Sequence, residues 1–132
     1  MTDRKKFRVK EWVEIIGKNA KSKGFHETHQ ELGTRLMLIV SELGEALEAL
    51  RHNRELLGQD INSLDKELLE SYPNQYKEKF EEKIKDTFED ELADAVIRIF
   101  DLCWILGIDL EFFMEAKTLY NELRPRLHGK EF

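Results

Sequence analysis

The sequence predicts an all-α fold, a bundle of four to five helices. Three observations carry the helical expectation: apolar residues recur at helical spacing over long stretches, no strand-type alternation is sustained, and the 132 residues include only two prolines. The first helix is expected from Val9 through Trp12, Val13, Ile15 and Ile16 to a break at Lys23-Gly24. A second runs from about His29 to Arg51, with Leu36, Ile39, Val40, Leu43, Ala46, Leu47 and Leu50 on one face at about 100° per residue. Residues 53–79 have a weaker pattern, in which Gly58 is a break, a short helix fits around Leu64 to Leu69, and Tyr72-Pro73-Asn74 reads as a turn. This stretch is an excursion from the core. From about Phe80 to Leu106 the pattern is helical again, and beyond Glu91 it is apolar on most sides, as in a helix buried on several faces. Gly107 suits a C-cap and Asp109 an N-cap, opening a last helix through Phe112, Phe113, Ala116 and Leu119 that stops before Pro125.

The length suffices for one core and is short for two, so residues 1–132 are expected to form a single domain. So much apolar helical surface on a small chain predicts a homo-oligomer, either dimer or tetramer. Lys and Arg number 21 against 27 Asp and Glu, a formal net charge of −6. That balance argues against metal-free binding to nucleic-acid polymers, which needs a basic surface, and it suits metal cations. Cys103 is the single cysteine and cannot close an internal disulfide, so a cytoplasmic setting is the default. No apolar run reaches the roughly 18 residues of a membrane span. The charged start leads into no signal-type stretch, and the mature chain is expected to begin near Met1.

The informative residues are carboxylates that the helix rules leave unexplained. Glu42 and Glu45 on the second helix, and Glu91 and Asp94 on the fourth, are each spaced i, i+3, which puts like charges about 5–6 Å apart on one face. At three or four positions on either side, Glu42, Glu45 and Glu91 meet no basic residue; Asp94 alone does, in Arg98. Glu48, by contrast, has Arg51 and His52 within reach. Leu38 and Ala49 project close to the Glu42/Glu45 stripe, which points to a helix–helix seam. Buried carboxylates without cations are costly unless protonated or bound to metal, and oxygen-only ligands select hard cations such as Mg²⁺ or Mn²⁺. A solvent-facing polar stripe is the competing reading, since Asp90, Arg98 and Asp101 lie on the same side as Glu91 and Asp94.

Other motifs carry less. His26-Glu27-Thr28-His29 is one residue short of the zincin pattern, and no glutamate has a histidine three positions later, as a di-iron bundle would require. Trp12, Phe25, Trp104 and Cys103 read individually as packing residues. Lys117, Asn121 and Arg124 line one face of the last helix, either as a solvated stripe or as two cations and an amide suited to phosphate oxygens.

Glu42-x-x-Glu45 followed by Glu91-x-x-Asp94 resembles the paired Glu-x-x-Glu and Glu-x-x-Asp motifs of the MazG-like nucleotide pyrophosphohydrolases, in the all-α NTP pyrophosphatase superfamily. Lys23-Gly24-Phe25, the run from Leu38 to Arg51, and the ending from Asn121 through Arg124-Pro125 to His128-Gly129-Lys130 resemble that family too. The resemblance covers most of the chain outside residues 53–79. The spacer 46–90 is longer than in compact members, and His26 stands where relatives often carry an aromatic residue.

The resemblance implies that Glu42, Glu45, Glu91 and Asp94 hold one or more Mg²⁺ ions, with Mn²⁺ as a substitute. The reaction implied is NTP or dNTP plus water to NMP plus pyrophosphate, a nucleotide-pool house-cleaning activity, with Glu42 or Glu45 as general base. It assigns Lys117, Asn121 and Arg124 to the phosphates; Arg51 and Lys130 are weaker candidates for that role, and Trp12, Asn19, Phe25 and His26 are candidates for the base and sugar pocket. The alternatives are a phosphoribosyl-ATP pyrophosphohydrolase-like activity and a non-enzymatic helical oligomeric interaction module.

Overall fold

The computed structural model describes residues 6–56 and 61–129, so Gly58 and Lys130 lie outside the described residues. Among those described, the secondary structure is helical throughout, with no strand. The helices are α1 (Val9–Ser22), α2 (Leu32–Arg51), α3 (Lys66–Ser71), α4 (Pro73–Lys83), α5 (Phe88–Leu106) and α6 (Leu110–Glu122), followed by a 3-10 turn at Arg126–Gly129. None is long and apolar enough to cross a membrane. Residues 29–99 make one compact unit; residues 6–28 and those from 100 onward make a second.

In the first unit, α3 begins where the Asp65 carboxylate accepts the Leu68 N–H at 2.9 Å, and α3 packs on α4. Pro73 does not form the expected turn. It is the first residue of α4, where a fixed φ and a missing N–H suit the helix start. The helix expected from Phe80 to Leu106 is also broken. It stops at Lys83, Asp86 adopts a left-handed φ of 65°, and α5 restarts at Phe88. The restart has a local cause, since Thr87 Oγ1 accepts the Asp90 N–H at 3.2 Å as an N-cap. The segment entering the excursion is held to the same restart: Phe88 N–H donates to the Arg54 carbonyl at 2.7 Å, and Leu56 N–H to the Glu89 carboxylate at 2.9 Å. Burial on α2 follows Glu42, Ala46 and Ala49, while Leu36, Val40, Leu43 and Leu47 of the expected core face are about half exposed.

The second unit contains α1, the loop after it, the end of α5 and α6. Gly17 is buried beneath the Trp104 ring, and any Cβ there would overlap the indole. Trp104 Nε1–H donates to Glu14 at 3.1 Å, and Arg8 pairs with Glu111 at 2.7 Å. The end of α5 is closed as the sequence suggests. Gly107 takes a φ of 68°, its N–H donates to the Trp104 carbonyl, and Ile108 N–H donates to the Cys103 carbonyl, the paired bonds of a Schellman cap. Asp109 then accepts the Phe112 N–H at 3.2 Å and starts α6.

Candidate metal centre

Two helices of the first unit supply the four carboxylates. On α2, Glu42 shares the buried ridge with Ala46 and Ala49, and Glu45 lies one turn on, exposed. On α5, the Thr87 cap sets the register that places Glu91 and Asp94 on the first two turns. Acidic residues are favourable in a helix's first turn, but that gain is small beside the cost of burying a carboxylate. Glu91 is only 5% exposed and Glu42 only 8%. Carboxylate oxygens of Glu42, Glu91 and Asp94 lie within 4.8 Å of one another, and the Glu45 carboxyl hydrogen-bonds with both Glu42 and Glu91.

One cation enters the cluster from the chain itself. Arg98 Nε donates to Glu42 Oε1 at 2.8 Å. Helical offset pointed Arg98 at Asp94, one turn away on α5; the guanidinium instead makes its hydrogen bond across to α2. Burial opposes ionisation of Glu42, but the bond from Arg98 and those with Glu91 and Glu45 hold the carboxyl below its ordinary value. Glu91 goes the other way. Burial, then hydrogen bonds with Glu45 and Glu42, then the charges of Glu45 and Asp94 push it up to about 8. Asp94 is raised to about 6 by burial and by the charges of Asp90, Glu42 and Glu45, against a smaller opposing pull from Arg98.

The donors fit a hard cation. All are carboxylate oxygens, and Glu91 Oε2 is a buried acceptor with no hydrogen-bond partner. A buried acceptor of this kind is costly unless something outside the protein's own hydrogen bonds satisfies it. No family model, curated protein or solved structure matches this chain.

The remaining candidate residues belong to the second unit or to the surface. Lys117 Nζ and Arg124 Cζ lie 5.1 and 5.7 Å from the centroid of the Tyr120 ring; Lys117 is on α6, whereas Arg124, expected on the same helix, lies beyond its end at Glu122. Asn121, between them, is half-buried and its Oδ1 has no hydrogen-bond partner. Arg51 is exposed and bonds Glu48 Oε1 at 2.7 Å. His26 Nε2 faces both oxygens of Asp101 at 2.8 and 3.0 Å, and the ring stacks on Trp104 at 5.5 Å. Trp12 meets Phe7 edge to face, Asn19 is exposed, and Phe25 is 71% exposed. A cleft of about 300 Å³ in this unit is lined by Val13, Glu14, Cys103, Trp104 and Ile108, among others. Trp12, Asn19, Phe25 and His26 are not among its walls.

Sequence reasoning missed three participants. The Arg98–Glu42 bond spans two helices and has no local signature. Asp90 reads in the sequence as part of a plain polar face, yet its charge acts on Asp94. The Asp101 partnership of His26 joins residues 75 positions apart.

Proposed function

We propose that the protein is a Mg²⁺-dependent nucleoside triphosphate pyrophosphohydrolase of the MazG-like kind, converting an NTP or dNTP and water to NMP and pyrophosphate. The observation that carries this reading is the buried, unpartnered Glu91 oxygen within a cluster of carboxylates supplied by α2 and α5. Glu42, Glu91 and Asp94 would hold the ion, with Glu45 beside them. Mg²⁺ bound there would supply positive charge to phosphate oxygens and to the attacking water. The chain's own residues do the rest. Arg98 keeps Glu42 ionised and oriented, and the burial of Glu42 and Glu91 limits competition from bulk water. Of the two general-base candidates, Glu45 suits the role better, because it is exposed to solvent while Glu42 is occupied by Arg98. Lys117, Asn121 and Arg124 would bind phosphate, an assignment that rests on the resemblance. Nucleotide turnover fits a cytoplasmic setting.

The second reading, a helical oligomeric module, draws on the exposed leucines of α2. Leu36, Val40, Leu43, Leu47 and Leu50 are spaced alternately by four and three residues, the pattern of a seam that packs on another helix. A second copy of the chain is the occupant we propose. Such a seam suits an enzyme as well as a non-enzymatic module, and catalysis separates the two readings.

A panel of NTPs, dNTPs and phosphoribosyl-ATP, assayed with Mg²⁺ for monophosphate and pyrophosphate, is the deciding experiment. The wild type should release both products. Glu42→Gln and Asp94→Asn should each lower turnover by at least about a hundredfold while keeping the helical circular dichroism, in line with loss of a metal ligand. Equal turnover in wild type and both variants would remove the assignment.

A further inference from the structure

We propose that the acidic cluster takes a second divalent cation, on Asp86, Asp90 and Glu91, with Glu91 shared between the two positions. This inference rests on the metal reading of the first position. Carboxylate oxygens of Asp86, Asp90 and Glu91 lie within 4.8 Å of one another, just as those of Glu42, Glu91 and Asp94 do. Glu91 is the one residue in both groups, it is 5% exposed, and its Oε2 has no hydrogen-bond partner. A carboxylate has two oxygens and can serve two ions, which is how paired metal sites are bridged.

Charge gives the second ion its reason. Glu42, Glu45, Asp86, Asp90, Glu91 and Asp94 form a continuous set, linked through the hydrogen bonds of Glu45 and the effect of Asp90 on Asp94. Among the described residues, the only salt bridge to any of the six is Arg98 to Glu42. With all six ionised and Arg98 counted with them, one divalent cation leaves a net −3 and two leave −1. The backbone turn before α5 delivers the additional ligands. Asp86 takes a left-handed φ of 65°, and its N–H donates to Asp90 Oδ2 at 2.9 Å, so the two side chains start from a fixed turn. Asp86 is exposed and Asp90 half-buried, so the second position is the more open of the two.

The test counts Mn²⁺ bound to the full chain at equilibrium, with no nucleotide present. The wild type should hold two ions per chain and the Asp86→Asn/Asp90→Asn double variant one. Asparagine tolerates the left-handed conformation at residue 86, so the turn should survive. Asp90→Asn alone should weaken the second ion at least tenfold, and equal melting temperatures of wild type and variants in EDTA would show that the fold is intact. Two ions retained in the double variant would overturn the assignment of Asp86 and Asp90. One ion in both proteins would overturn the second position while leaving the first standing. No ion in the wild type would overturn the metal reading itself.

Discussion

Ionising Glu91 places a charge where burial and its carboxyl neighbours oppose it, and that single conflict makes the metal-free protein sensitive to pH. Glu91 and Asp94 have ordinary values of 4.5 and 3.8 and are raised in the fold to about 8 and about 6. Between those limits the folded chain holds more protons than the unfolded one, so stability falls as pH rises. Glu42 has the opposite sign: its lowered value adds stability above pH 4.5 that is lost on acidification. In EDTA, the melting temperature should therefore decline between pH 5 and pH 8, by about 3–6 °C for each kcal/mol lost. Glu91→Gln should flatten the part of that decline above about pH 6, where Asp94 has already titrated. A melting temperature that rises over this window in the wild type would contradict the assignment. Metal binding must displace the same proton, so affinity should strengthen as pH approaches 8.

Elements were legible where their signals are local. The α1 break and the Gly107-Ile108-Asp109 junction follow from residues that cap or stop a helix by their own chemistry, whereas α2 starts at Leu32, three residues after the expected His29, with no side-chain cap. The gap between α4 and α5 was not legible, because Phe80, Ile84 and Phe88 keep helical spacing across it. What interrupts the helix is the left-handed Asp86 together with the Thr87 cap, and neither disturbs the apolar period. The acid pairs were legible as spacing, while their pairing across α2 and α5 was an expectation from the resemblance alone, since offset rules reach only within a helix. Thr87→Ala tests this account of α5. Loss of the cap should cost about 1 kcal/mol of stability, read by chemical denaturation. Because Thr87 sets the register of Glu91, the variant should also bind Mn²⁺ more weakly, whereas a fully stable variant would show that another group starts α5.

For the molecule as a whole, the unspent feature is its apolar exposure. The leucines expected to form the core face of α2 are about half exposed, and the buried ridge of that helix is made of Glu42 and two alanines. A periodicity analysis sees one broad face and cannot divide it between the chain's own core and a second copy. Sedimentation equilibrium should give at least a dimer, and Leu43→Glu should shift it toward the monomer; a wild type that stays monomeric at micromolar concentration would rule out the α2 seam as an interface. The central claim, that the α2 and α5 carboxylates hold a divalent cation, is tested most directly by melting temperature against Mg²⁺ concentration at pH 8. Wild type should gain stability with each step in concentration, by about 2.7 kcal/mol at a hundred times the dissociation constant, and Glu91→Gln should gain far less. No shift in the wild type at millimolar Mg²⁺ would contradict it.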